Sequence, residues 1–191
     1  TGTYYVTPHN IVPAVNLSRR QKRKQKQKQI PDAVFRSRRG NLLLDLATTG
    51  YSSEVAKAAV VASTKSGNIS LNLLSGAKIR PRFDIEGNTR SGNVVLFIPS
   101  TFSGAIQLHT KTGDINFLPG IASEMRVVKS TDTEYLVLVG AQQPPGTDQA
   151  PVDFCRLRTR SGNVVIGVRG KDTYVRPAGL WQKLTGFLRS G

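Results

Sequence analysis

Apolar and polar residues alternate along most of the chain with the two-residue period of a β-strand, and glycine interrupts this alternation at recurring points. The second and fourth residues after each such glycine are apolar, which places one face of the following strand in a core. A glycine followed by Asn or Asp is typical of a tight corner. Each stretch is therefore predicted to form a strand, a corner and a second strand. The five corner glycines are Gly40, Gly67, Gly92, Gly113 and Gly162.

The spacing of these glycines predicts a stacked repeat. They follow one another at steps of 27, 25, 21 and 49 residues, and the last step is about twice the others. The long step predicts a degenerate sixth copy from Thr131, TDTEYLVLVG, in which Glu134 takes the place of glycine. One such unit cannot bury its own apolar face and must stack on neighbours. We expect an all-β, single-domain β-solenoid of about six rungs, with a β-sandwich as the alternative. The heptapeptide TRSGNVV, at Thr89 and again at Thr159, is then one corner written twice.

The remaining segments divide the chain around this repeat. We expect residues 1–18 to be an N-terminal arm with TGTYYV as an edge strand, residues 19–33 a basic linker, residues 34–176 the repeats with a loop at 141–151, and residues 177–191 a C-terminal amphipathic helix. This helix is expected to cap the solenoid, and a membrane-surface helix is the alternative. An alanine-rich stretch from Tyr51 to Ala62 favours a helical insertion before the second repeat.

Five stretches, TGTYYVTP, RSRRGNLLLDL, TRSGNVVLFIPSTFSGAIQLHTKTGDINFLP, TEYLVLVG and RTRSGNVVIGV, resemble a family of uncharacterised proteins abundant in mushroom-forming fungi, and the third is the most specific. That family is similar in pattern to bacterial adhesin-like β-solenoid domains with repeated Ser-Gly-Asn/Asp corners. The resemblance covers nearly the whole chain, and the Lys/Arg/Gln tract at residues 19–28 departs from it as an insertion. It implies a β-solenoid and supplies no catalytic residues.

Charge adds a second candidate function. The formal net charge is +15, and between Arg19 and Arg39 ten basic residues face a single acid, Asp32. Stacking would also align one basic residue from each corner into a ladder, so polyanion binding is one interpretation of these residues. A solvated linker and a solvated edge that discourages aggregation are the alternatives. The candidate polyanion-binding residues are Arg19, Arg20, Lys22, Arg23, Lys24, Lys26, Lys28, Arg36, Arg38, Arg39, Lys65, Arg90, Lys111 and Arg160.

Apolar residues also occupy positions that alternation turns away from the core. We expect either another segment of the chain or a second copy of the protein to cover this face. The second possibility predicts a homo-oligomer or a filament. The candidate self-association residues are Val95, Phe97, Leu118, Val137, Val139 and Val165.

The residue types that support catalysis or metal binding are sparse. Acids are scattered, the two histidines are His9 and His109, and the one cysteine, Cys155, follows Phe154 and is expected to be buried. These residues predict no catalytic site, no metal, no cofactor and no small-molecule substrate. No run approaches the roughly 18 apolar residues of a membrane span, so no integral membrane segment is expected.

The sequence thus favours a non-enzymatic structural or interaction module that self-associates. Polyanion binding through residues 19–39 and the corner ladder is the alternative, and a membrane-surface role of the terminal helix comes third. The compartment is left open.

Overall fold

A computed structural model describes residues 2–6, 31–49, 57–75, 80–140 and 152–174, and every structural statement below concerns these residues. Strands account for 69% of them, and helix is almost absent. The predicted all-β class is confirmed. None of the described helices is both long enough and apolar enough to span a membrane.

The described elements are thirteen strands and one helical turn. They are β1 (Gly2–Val6), β2 (Ala33–Arg39), β3 (Leu42–Thr48), β4 (Lys57–Ser66), β5 (Ile69–Leu73), β6 (Arg82–Ser91), β7 (Val94–Ile98), β8 (Gly104–Thr112), β9 (Ile115–Phe117), α1 (Pro119–Ala122), β10 (Met125–Ser130), β11 (Glu134–Val139), β12 (Asp153–Ser161) and β13 (Val164–Val168).

The strands form two sheets. The six-stranded sheet has the order β1-β3-β5-β7-β13-β9, and all its neighbours pair in parallel. The seven-stranded sheet has the order β10-β11-β8-β12-β6-β4-β2, and only the β10-β11-β8 pairs are antiparallel. Leu71 and Leu96 of the first sheet and Ile85 and Leu108 of the second share one buried core. These positions are the ones that strand alternation turns inward.

Each corner glycine joins a strand of the seven-stranded sheet to a strand of the six-stranded sheet. The resulting units are β2–β3, β4–β5, β6–β7, β8–β9 and β12–β13. Their order in space differs from their order in the chain, because the last unit lies between the third and the fourth. Strand β12 pairs with both β6 and β8, and β13 pairs with both β7 and β9. The β12–β13 unit is thus inserted into the middle of both sheets.

This insertion places the two copies of TRSGNVV side by side. Thr159 lies opposite Thr89, Ser161 opposite Ser91, and Val164 opposite Val94. Identical residues therefore pair with each other through the corner.

The predicted sixth corner at Glu134 is wrong. Glu134 begins β11, which runs antiparallel to β8 and forms a hairpin with β10. The Thr131 backbone N–H donates to the Glu134 carbonyl at 2.8 Å, and the Glu134 N–H donates to Thr131 Oγ1 at 3.0 Å. Without a glycine at this position, the chain makes a hairpin turn instead of crossing to the other sheet.

The hairpin also reverses the predicted faces of β11. Val137 and Val139 are buried in the core, whereas Leu136 and Leu138, which the repeat pattern turns inward, are half-buried. A phase change of one residue moves a whole set of side chains to the opposite face of a sheet. Val137 and Val139 are expected to face outward, and they face the core instead.

A single buried carboxylate holds the start of the inserted unit. Asp153 is 0% exposed and accepts hydrogen bonds from Arg80 Nη1 and Nη2 at 3.1 and 2.9 Å. It also accepts from the backbone N–H groups of Phe83 at 2.9 Å and Ser103 at 3.2 Å. Phe83 belongs to β6 and Ser103 precedes β8, so Asp153 ties β12 to both of its neighbours.

A second carboxylate holds the end of the unit. Asp172 accepts hydrogen bonds from the backbone N–H groups of Gly120 and Val168, both at 2.7 Å. Because Gly120 lies in α1 and Val168 ends β13, Asp172 joins the helical turn to the inserted strand.

Other predictions fall on the ends and connections. Strand β1 lies at the edge of the six-stranded sheet and pairs with β3 of the same chain. The helical insertion predicted from Tyr51 to Ala62 is wrong from Lys57 onward, where strand β4 begins. Residues 7–30, the loop at 141–151 and the helix at 177–191 lie outside the described residues.

Candidate functional site

The corners repeat one backbone geometry. The five corner glycines have φ between +124° and +147°, a region that favours glycine. A Cβ on Gly92 would lie 2.1 Å from the carbonyl oxygen of Gly67, and one on Gly162 would lie 2.2 Å from that of Gly92. Glycine is therefore required both for the turn and for the close approach of neighbouring corners.

Side-chain hydrogen bonds lock these corners together. The Thr89 and Thr159 hydroxyls donate to the carbonyls of Gly67 and Gly92 at 3.0 and 2.9 Å. Each corner Asn accepts a backbone N–H from the next corner, so that Asn68 Oδ1 accepts from Asn93 at 2.8 Å. The same bond recurs at Asn41, Asn93 and Asn163. The corners consequently stand at a regular spacing.

One basic residue precedes each corner glycine by two positions, and together these residues form what we call the cation row. All are exposed, because each follows a corner Thr or Ser that lies on the opposite face of its strand. Neighbouring strands lie about 4.7–4.9 Å apart, so the row spans about 19 Å. In spatial order the row is Arg38, Lys65, Arg90, Arg160 and Lys111.

Two parallel lines of side chains flank the cation row. Two residues earlier on each strand, Arg36 and Arg158 add further charge on the same face, with Asn88 and His109 beside Arg158 in register. One residue later, each corner carries a hydroxyl or a further cation. Shallow grooves run between these lines, and the cation row is a wall of each. The line after the row consists of Arg39, Ser66, Ser91, Ser161 and Thr112.

The cation row lacks carboxylate partners within the described part of the chain. Ion pairs in that part include Asp153 with Arg80 and Arg82, Lys129 with Glu134, and Lys171 with Glu124, and none of these involves a cation of the row. Like charges opposite one another on neighbouring strands destabilise a sheet. The cations of the row therefore repel one another to the extent that solvent and salt do not screen them.

The position of the row argues against an edge-protection role. Charged side chains protect a sheet when they lie on its edge strands. Lys65, Arg90 and Arg160 lie on β4, β6 and β12, which are interior strands of the seven-stranded sheet, and only Arg38 of the row lies on the edge strand β2. Edge protection therefore does not explain the row.

The structure brings together only part of the predicted polyanion-binding set. Arg36, Arg38 and Arg39 join the corner ladder, whereas the basic residues from Arg19 to Lys28 lie outside the described residues. Sequence reasoning missed Arg158. It stands four residues before Gly162, as Arg36 stands before Gly40, and this shared spacing could have identified it.

The predicted self-association face is mostly inaccessible. Val95 and Val165 are 5% and 1% exposed, and Val137 and Val139 lie in the core. Phe97 and Leu118 are half-buried and converge over Gly167, where a Cβ would lie 3.0 Å from Phe97 Cε1 and 2.8 Å from Leu118 Cδ1. The missing side chain at Gly167 lets these two cover the sheet from within the same chain. The six residues therefore do not form one exposed face, and the prediction of a self-association face made of all six is wrong.

Two titratable groups outside the cation row have pKa values that their surroundings shift. Cys155 is fully buried as predicted, and burial raises the pKa of its thiol well above the usual value, with the charges of Asp153 and Asp84 adding to the shift. Hydrogen bonds from Lys129 and Gln107 hold the pKa of Glu134 below its usual value. Among the described residues, no three His, Cys, Asp or Glu side chains cluster so as to hold a metal ion.

Comparison with known proteins identifies a family and one weakly similar structure. No curated protein matches the chain. A crystal structure of a "putative cell adhesion protein" from Clostridium sporogenes is similar at a TM-score of 0.39 and 13% sequence identity. The match covers 71% of this chain and 55% of that one. A family model described as Domain of unknown function (DUF7330) matches residues 1–171. That match confirms the expectation of an uncharacterised family, and the chain belongs to DUF7330.

Proposed function

We propose that the protein is a non-enzymatic interaction module that binds a polyanion along the cation row. The observation that carries this proposal is the row itself: five exposed cations, one from each corner, without a carboxylate partner in the described residues. A line of cations attracts a polymer with many charges more strongly than it attracts a single ion, because binding releases many counterions together.

The regular spacing of the row supports a finer architecture. We propose that the five units form a β-solenoid, in which the cations repeat because the corners stack. Parallel pairing of equivalent corners supports this architecture. A β-sandwich of hairpins, the alternative, pairs consecutive strands antiparallel, as β10 and β11 do here. The fungal source that the resemblance implies stays an expectation.

The test is binding of the full chain to inorganic polyphosphate over a range of salt concentrations. The row variant Lys65→Gln, Arg90→Gln, Arg160→Gln removes three charges from exposed positions of interior strands. We expect about tenfold or greater loss of affinity at low salt. A plot of log affinity against log salt should also become shallower by roughly two to three units, by analogy with nucleic acids, where each contact contributes about 0.7–0.9.

A matched control separates the row from general charge. The variant Lys57→Gln, Arg169→Gln, Lys171→Gln removes the same charge from exposed positions outside the grooves. It should bind polyphosphate within about twofold of the parent, because screening weakens distant charges. An equal loss in the two variants would contradict the proposal.

Self-association is the second candidate, and the edge strands favour it. Among the strands that the structure describes, β1 and β2 each have a neighbour on one side only, and they lie at the same end of the two sheets. Tyr5 is 70% exposed, and Val34 and Leu43 are also exposed there. Edge strands with apolar side chains are suited to pairing with another copy. Light scattering at high salt tests this, since an apolar homo-oligomer persists there and a monomer would oppose it.

A further inference from the structure

The groove beside the cation row repeats two chemical groups. At three successive interior strands, β4, β6 and β12, the residue that follows the row cation is a serine. Ser66, Ser91 and Ser161 line the same groove as Lys65, Arg90 and Arg160. Each repeat thus offers one cation and one hydroxyl at the spacing of the strands.

These three serine hydroxyls are available to a ligand. In the residues that the structure covers, Ser66, Ser91 and Ser161 are exposed and their hydroxyls have no hydrogen-bond partner. Hydroxyls nearby are engaged: Ser37 Oγ donates to the Arg39 carbonyl and Thr112 Oγ1 to the Arg160 carbonyl, both at 3.0 Å. The contrast places the free hydroxyls along the middle of the groove.

We infer that the polyanion is an acidic polysaccharide of the polyuronate type, lying across the strands with its carboxylates on the cation row. This inference rests on the proposed function. A uronic acid polymer carries one carboxylate and free hydroxyls on each sugar ring, so it repeats the same two groups as the groove. Carboxylates form strong charge-assisted hydrogen bonds with Lys and Arg, and the serines donate to or accept from the ring hydroxyls.

The same geometry disfavours nucleic acid. Phosphates of one B-DNA strand follow a helical path around the axis, whereas the cation row crosses a sheet of parallel strands. Proteins that bind single strands combine a basic groove with aromatic side chains on which the bases stack. No Phe, Tyr or Trp side chain lines the grooves beside the row in the described part of the chain, and His109 is the one aromatic ring there.

The test compares three probes with the full chain by calorimetry: a homogeneous oligogalacturonate longer than the row, inorganic polyphosphate, and a short DNA duplex. The hydroxyl variant Ser66→Ala, Ser91→Ala, Ser161→Ala keeps every charge. We expect about tenfold weaker binding of oligogalacturonate and a clearly smaller loss of polyphosphate binding, because a serine hydroxyl can donate to phosphate oxygens but finds no hydroxyl on that chain to accept from. The control Ser70→Ala, Ser100→Ala, Ser130→Ala removes serines outside the groove and should leave both affinities unchanged.

Each result bears on the two proposals separately. A loss of oligogalacturonate binding in the hydroxyl variant that clearly exceeds its loss of polyphosphate binding supports the inference, and equal losses oppose it. If the parent binds DNA more tightly than oligogalacturonate, or the hydroxyl variant loses nothing, the inference fails while row-dependent polyphosphate binding still supports the proposed function. If polyphosphate binding does not depend on the row, both fail.

Discussion

Neighbouring strands are held together in two different ways: by many repeated contacts at the corners, and by one buried cluster at the start of β12. At the corners, equivalent contacts recur in unit after unit: a glycine of positive φ, a Thr hydroxyl on the neighbouring glycine carbonyl, and an Asn that accepts a backbone N–H. At the start of β12, one buried carboxylate receives donors from two other segments. Repeated weak contacts recur at the spacing of the units, whereas the single buried cluster connects the start of β12 to β6 and to the segment before β8.

The largest effect is expected at the single cluster. Asp153→Ala leaves Arg80 buried without its counter-charge and the N–H groups of Phe83 and Ser103 without their acceptor. Breaking a buried pair in this way costs about 3–5 kcal/mol of unfolding free energy. Urea denaturation measures the loss. Asp84→Ala, on the half-buried face of β6 beside Phe154, is the matched control and should cost well under half as much. Equal losses would mean that the cluster is not special.

An intermediate effect is expected at the corner glycines, and it should depend on position. Gly40→Ala introduces a Cβ whose nearest atom is Ser37 Oγ at 3.7 Å, so it costs about 1–3 kcal/mol for positive φ alone. Gly92→Ala adds to this the overlap with the Gly67 carbonyl and should destabilise clearly more. Thermal unfolding of the two variants measures the stability that each one loses. Similar losses would show that the corners are not in direct contact.

The smallest effect is expected in the Asn ladder. Asn68→Ala removes the acceptor of the Asn93 N–H, a half-buried bond that contributes about 1 kcal/mol. Asn116→Ala, at an exposed position of β9, is the control and should change stability by less than about 0.5 kcal/mol. The urea midpoints of unfolding of the two variants measure this difference. A loss at Asn68 as large as that at Asp153 would remove the distinction between the two regions.

The sequence carries the local part of this fold and not its long-range order. Glycine spacing and two-residue alternation correctly predict all five corners and inward positions such as Leu71 and Leu96. They cannot predict that the β12–β13 unit lies between the third and fourth units, because all the corners are chemically alike. The alternation rule also fails in β11, where the missing glycine changes the direction of the chain.

The cation row and the Asp153 cluster also differ in how far the sequence predicts them. Corner spacing alone predicts the cation row, because each cation stands at a fixed position from its glycine. The Arg80 and Asp153 cluster was not predicted, since charged residues are rarely fully buried and the partners lie far apart in the chain. No local pattern relates them.

The insertion of β12–β13 also constrains the order of events on the ribosome. Strands β6 to β9 are synthesised well before β12, yet in the native sheets β6 and β8 are separated by it. Synthesis runs from the N-terminus and domains generally fold as units, so the third and fourth units of this fold emerge with matching corners before the unit that separates them exists. Any direct pairing of β6 with β8 at that stage must dissociate before the native register forms. Completion of the sheets thus depends on the last segment of the described chain to be made.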